Sequence, residues 1–229
     1  MSAGYAHFEA VASSRAEPRD RVAAFERGDR LVLVVADGAG SIRGGATASQ
    51  AVVDAVRGAI ADPAFVLDDV RAWGDLLMRV DGKLVAGATG ETTAVVVSLG
   101  PRGMVGVSAG DSEAWVVTPA RVEDLTQSQD TKRKIGGGHV APASFERHAL
   151  KGVLLIASDG LFKYASREVI ARIVRSVPVS RAIEELIALV RLPSGRFADD
   201  VAVATAARDT AGLSSPTSDP DSERAAQRQ

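Results

Sequence analysis

Residues 92–118, TTAVVVSLGPRGMVGVSAGDSEAWVVT, decide how this chain folds. Three β-rich runs, Thr92–Leu99, Met104–Ser108 and Ala114–Thr118, follow one another with only GPRG and AGDSE between them. Such short, turn-forming breaks favour antiparallel pairing, because a parallel crossover needs a dozen residues or more. Working outward, further runs fall at Leu31–Ala36, Val153–Ala157 and Val201–Ala207. Helical periodicity appears at Ala46–Ile60, after a glycine pair, and at Val66–Val85. In the latter, Leu67, Val70, Trp73, Leu77, Val80 and Leu84 recur at three- and four-residue spacing. Two more helices are predicted at Arg167–Val174 and Arg181–Val190. The order is strand, two helices, several strands, two helices, strand. Grouped amphipathic helices must cover sheet faces, so the pattern predicts a layered α+β domain rather than a doubly wound α/β one.

The chain has 229 residues, 46% hydrophobic and 24% charged, enough for one domain with a sizeable core. We expect that domain over 1–208 and a disordered C-terminal tail over 209–229, DTAGLSSPTSDPDSERAAQRQ, which has too few apolar side chains to offset ordering entropy. A net charge of -2 gives no general attraction to nucleic acid or to an acidic membrane. The absence of cysteine excludes disulfides, thiolate zinc sites, iron–sulfur clusters and a cysteine nucleophile. Apolar stretches are far shorter than a membrane span, and Glu9 stands where a secretory signal would be basic and then apolar. A cytoplasmic location is the expectation.

The acidic residues fall at strand ends. Asp37 ends LVLVVADG, Asp159 ends VLLIASDG, Asp111 follows MVGVSAGD, and Asp199 with Asp200 opens DDVAVATAA. Antiparallel pairing sets the end of one strand beside the start of the next, so these acids are expected to gather at one edge of a sheet. Clustered carboxylates repel unless a cation joins them, and an all-oxygen donor set suits Mg²⁺ or Mn²⁺. Asp-Gly is also a common turn dipeptide, and Asp81-Gly82 reads as one. Four acids at strand ends together point beyond turns to a metal site.

The same residues resemble a known family. VVADGAGSIRGGATAS is similar to the D-G-x-G-G segment of the metal-dependent type 2C (PPM) protein phosphatases, and GETTAVVVSL to their G-T-T-A strand. VSAGDSEAWVV resembles their G-D-S-R strand pair, LLIASDGLFKYAS their S-D-G-L-F-D segment, and ADDVAVATA their closing D-N-I-T-V-V strand. Arg15 and Asp20 keep the five-residue offset of the family's R-x-x-N-E-D element. The motifs occur in family order over about residues 11–208.

The resemblance implies a four-layer α-β-β-α sandwich of two antiparallel sheets flanked by helices. It implies hydrolysis of phosphoserine or phosphothreonine by a water bridging two Mn²⁺ or Mg²⁺ ions, with a third, weaker ion in bacterial members. Carried over, Asp37 bridges the two metals and the Gly38 carbonyl joins the second. Asp159 and Asp199 hold the first, Asp111 matches the acid of the third, and Asp20 matches a supporting acid. Arg15 matches the residue that grips the substrate phosphate, for which its planar fork is suited. Five lysines among 27 basic residues, with much Ala and Val, suggest a bacterial gene of high GC content. The implied partners are phosphorylated proteins, namely a Ser/Thr kinase or its substrates, with neither nucleic acid nor membrane.

Several positions depart from the family pattern. Arg19 replaces the Glu of N-E-D, Ala39 stands where eukaryotic members have His, Ser41 replaces a glycine, and Glu113 replaces the Arg of G-D-S-R. The segment from Leu125 to Gly152 is shorter than the usual flap. These departures keep open a catalytically weak, phosphatase-like module that binds a kinase or phosphoprotein. Gly106–Gly110 fits the G-x-S-x-G nucleophile elbow around Ser108, but the chain continues as turn and strand where the elbow needs a helix. A dinucleotide site at Gly38, Gly40 and Gly44 has its last glycine one place late. His7, His139 and His148 show no metal spacing, and Trp73 and Trp115 fall at core positions.

Overall fold

Strand β3 (Arg30–Ala36) is buried along its whole length, so both of its faces are covered. Leu31, Leu33 and Val35 enter one core while Val32, Val34 and Ala36 enter another, as the two-residue side-chain period of a strand requires. This is a computed structural model, and it describes residues 4–39 and 42–209. Ser41 and the expected tail from residue 210 onward lie outside the described residues.

Two five-stranded sheets form the centre, and every pairing is antiparallel. The first runs β10 (Ala143–Arg147), β7 (Gly103–Ala109), β6 (Ala94–Gly100), β3, β2 (Arg21–Arg27). The second runs β1 (Tyr5–Ala12), β12 (Val201–Arg208), β11 (Val153–Ala157), β8 (Glu113–Val117), β9 (Val122–Asp124). A short pair joins β4 (Gly38–Ala39) to β5 (Glu91–Thr92). The inner faces share one core, in which Leu33, Val97 and Met104 meet Val116, Leu154 and Ile156. The outer face of the first sheet packs on α1 (Ile42–Ala61) and α2 (Val70–Gly87) through Val52, Val56, Trp73 and Leu77. Beyond the second sheet lie α3 (Asp159–Phe162), α4 (Arg167–Ser176) and α5 (Val179–Leu189), which bury Leu161, Ile170, Val174 and Leu186 against Trp115 and Leu155. Each fully buried Leu, Ile or Val contributes roughly 1.5–3 kcal/mol, so three apolar layers hold the four-layer α-β-β-α sandwich together.

The expected strands and helices form, most with shifted ends, but the run Thr92–Leu99 is split, Thr92 joining β5 and Ala94 onward β6. Helix α1 starts at Ile42 and takes in the glycine pair expected before it. Helix α2 starts at Val70, where the Asp69 side chain accepts the Arg71 N–H at 2.9 Å as N-cap. Strands β1, β2, β9 and β10 were not expected. All four lie at the edges of their sheets and are only partly buried, which blurs the alternation that marks a strand. Asp81-Gly82 is not a turn; it lies inside α2, where Asp81 is buried.

Candidate active site

The acids converge at one end of the sandwich, and they come from both sheets rather than from one sheet edge. Asp37 leaves β3 of the first sheet, and Asp111 sits where the chain passes from β7 to β8 of the second. Asp159 opens α3 directly after β11, and Asp199 and Asp200 precede β12. Carboxylate oxygens of Asp37, Asp111 and Asp159 all lie within 4.8 Å of one another.

The neighbouring motif residues fix these acids. Thr93 Oγ1 accepts the Asp37 N–H at 3.0 Å, while the Asp37 carbonyl accepts from the Thr93 N–H and the Thr92 hydroxyl, both at 2.9 Å. Thr93 also shares a 2.6 Å hydrogen bond with Ser112, beside Asp111. The two Asp-Gly pairs are close approaches rather than turns. A Cβ on Gly38 would fall 2.3 Å from the Gly45 carbonyl oxygen, and one on Gly160 would fall 1.9 Å from that of Asp200. Gly160 thus lets the Asp159 and Asp199 segments touch. Gly110 has φ +88, and a Cβ there would strike Thr93, so the turn before Asp111 also requires glycine.

Asp20 ends the segment before β2 and is 2% exposed. Burial, then the neighbouring Asp37 charge, pushes its carboxyl up to about 9, against a hydrogen bond from Ser158. Burial and the Asp159 charge push Asp37 up to about 6, and burial raises Asp159 as well. Buried carboxyls held this close resist ionising together. Asp20 Oδ2 and Asp111 Oδ1 are buried without a hydrogen-bond partner, the latter with only the Lys134 ammonium at 3.5 Å. Orphaned oxygens, an all-oxygen donor set and mutual repulsion are what hard divalent cations relieve, so the residues fit Mg²⁺ or Mn²⁺.

Asp199 is one-third exposed and stands beside the trio, near enough to raise Asp159 by its charge. Its neighbour Asp200, to which the sequence reading gave no role of its own, is the buried hub. Asp200 accepts a short hydrogen bond from Ser13, one from the Arg19 N–H at 2.7 Å and one from Arg15 at 3.0 Å. Burial alone would raise the Asp200 carboxyl, but these donors, Ser13 first, bring it below the usual value. Arg15 also reaches Asp199 at 3.4 Å, so its guanidinium stands at the rim of the acids. Arg19 is tied in by its backbone, with its carbonyl accepting from Ser49 at 2.5 Å. Glu113, the residue that replaces the Arg of the G-D-S-R pattern, pairs with Arg167 of α4 at 2.8 Å.

Two lysines also reach the acids. Lys163, at the end of α3, makes a short ion pair with Asp159, and Lys134 lies 3.5 Å from Asp111. The expected short flap folds back as β10 and a braced loop. Ile135 exchanges backbone hydrogen bonds of 2.8 and 2.9 Å with Thr92. Asp81 accepts the N–H groups of Gly136 and Gly138 at 2.6 and 3.1 Å. Lys134 was missed because nothing local marks it. Lys163 was missed as well, although it stands where the S-D-G-L-F-D pattern has its last Asp, a signal that could have found it.

Ser108 is fully buried within β7, paired with Val95 and Ala143, so it is no nucleophile elbow. His139 and His148 are exposed, His7 lies on β1, and none of the three belongs to the carboxylate trio. Trp73 and Trp115 are core residues, donating to the Leu67 carbonyl and the Glu113 carboxylate.

No family model and no curated protein sequence matches the chain. Solved structures do. The serine/threonine phosphatase Stp1 from Staphylococcus aureus superposes with a TM-score of 0.75 at 21% identity, covering 89% of this chain and 94% of that one. The S. agalactiae serine/threonine phosphatase gives 0.75 at 20% identity, covering 88% and 98%. The catalytic domain of the serine threonine protein phosphatase PstP, solved with 2 manganese ions, gives 0.72 at 23% identity, covering 88% and 96%. With its sheet order, its helical layers and its strand-end acids, the chain has the fold of the bacterial serine/threonine phosphatases.

Proposed function

We propose that this protein is a metal-dependent phosphatase that hydrolyses phosphoserine or phosphothreonine in proteins. The observation that carries the reading is the meeting of Asp37, Asp111 and Asp159, from three separate strand ends, within 4.8 Å in a fold shared with such phosphatases. When bound, a pair of Mn²⁺ or Mg²⁺ ions would supply the Lewis acidity that makes water a nucleophile at neutral pH and would neutralise phosphoryl oxygens. Asp37, Asp159 and Asp199, with the Gly38 carbonyl, would hold those ions. Asp111 would hold a weaker third, and Asp20 would support Asp37 from behind. Arg15, anchored by the buried Asp200, offers its planar donors to the phosphate from the rim. Asp200 sets the direction of that guanidinium, and Ser13 and the Arg19 N–H keep Asp200 ionised for the purpose.

The physiological substrates would be phosphorylated proteins, including a Ser/Thr kinase or its targets, in the cytoplasm. Hydrolysis of phosphothreonine peptide with and without Mn²⁺, and after chelation, tests the reading. Asp37→Asn should remove nearly all turnover with its fold intact by circular dichroism, and full activity in that variant refutes the assignment. The ammonium groups on Asp111 and Asp159 favour one second reading, a phosphoprotein-binding module of weak activity. Tight phosphopeptide binding without turnover at saturating Mn²⁺ would select it.

A further inference from the structure

Five of the 27 basic residues are lysines, and two of those five reach the carboxylate trio. Lys163 pairs with Asp159 Oδ2, four residues back on α3, and Lys134 lies 3.5 Å from Asp111 Oδ1. The acids they touch are among those best placed for a divalent ion. The two lysines are mounted differently. Lys163 is 54% exposed on its side chain and hangs from the last turn of a short helix. Lys134 is 21% exposed, and its loop is braced by Asp81 and by the Ile135 backbone. An ammonium on a flexible stem leaves a carboxylate readily, whereas an arginine fork would hold it at two points. Among the described residues, the cations paired with the acids of the site are Arg15, Lys134 and Lys163.

We propose that Lys163 and Lys134 are resident cations of the carboxylate cluster, which neutralise Asp159 and Asp111 in the metal-free protein and are displaced when divalent ions load. The proposal rests on the metal-dependent reading above and deepens it, since the lysines then set the metal concentration at which the site fills. Lys163, more exposed and more loosely mounted, gives way first. Its removal takes away a unit positive charge that competes for Asp159.

Calorimetric titration of Mn²⁺ into wild type, Lys163→Met, Lys134→Met and Lys163→Arg tests this, with free Mn²⁺ followed in parallel by electron paramagnetic resonance. Lys163→Met is expected to bind Mn²⁺ about tenfold more tightly than wild type. Lys134→Met should shift in the same direction, and Lys163→Arg should bind no more tightly than wild type. Thermal melts in chelator establish that each variant folds. Equal affinity in wild type and both methionine variants, to within twofold, overturns the proposal and leaves the metal-dependent reading standing. An absence of Mn²⁺ binding in every folded form overturns both.

Discussion

Replacing Asp20 by Asn should stabilise the metal-free protein at neutral pH. The Asp20 carboxyl is 2% exposed, and burial together with Asp37 pushes it from 3.8 up to about 9. A carboxyl whose folded value lies above its unfolded value costs nothing below the unfolded value. The cost grows as pH rises between the two values, because there the unfolded chain is ionised while the folded one must stay protonated, and it levels off above the folded value, where both are ionised. At pH 7.5 that window spans about 3.7 pH units, or about 5 kcal/mol. The Asn amide is neutral at every pH, yet it remains buried with imperfect partners, which returns about 1–3 kcal/mol. The expected net gain is therefore on the order of 2–4 kcal/mol at pH 7.5, falling to about zero or below at pH 4.5. Urea unfolding in chelator at both pH values measures it. In Mn²⁺ the gap should narrow, since a cation relieves the same repulsion in the wild type. Equal destabilisation by Asn at both pH values would refute the reasoning and show that Asp20 is held by hydrogen bonds rather than strained by its neighbours.

Arg15→Ala should mainly raise KM for phosphopeptide, with a smaller fall in kcat, and unchanged kinetics would remove Arg15 from phosphate binding. Asp200 has a folded value below its unfolded one, so its stabilisation is present above about pH 4 and is lost as pH falls through the lower value. Asp200→Asn should flatten the acid limb of the stability profile, and an unaltered profile would contradict this. Gly160→Ala places a Cβ 1.9 Å from the Asp200 carbonyl oxygen and should cost about 2–3 kcal/mol in urea melts. Asp81→Ala leaves the Gly136 and Gly138 N–H groups without their acceptor. It should speed amide exchange in that loop, and unchanged exchange would mean that Ile135 alone braces it.

How much of this was legible in the sequence follows from the range of the interactions. The short β-rich runs around residues 92–118 and the three- and four-residue spacing of α2 are local patterns, so they determined the main strands, the helices and the layered α+β class. Strand ends are local too, which is why Asp37, Asp111, Asp159 and Asp199 could be singled out as candidates. Edge strands such as β1 and β10 stayed hidden, because solvent on one side removes the pressure for apolar alternation. Asp81-Gly82 misled for a related reason: a turn dipeptide inside a well-packed helix is overridden by the apolar face around it, where Trp73, Leu77 and Leu84 are buried. Only the tertiary structure could decide which acid of the Asp199-Asp200 pair is buried, that Lys134 and Lys163 meet the trio, and that Gly38 and Gly160 serve close approach. Those outcomes depend on stacking two sheets so that their ends coincide, and the stacking is set by the shared core between them, in which Leu33 and Val97 of the first sheet join Leu154 and Ile156 of the second although they lie far apart in the chain.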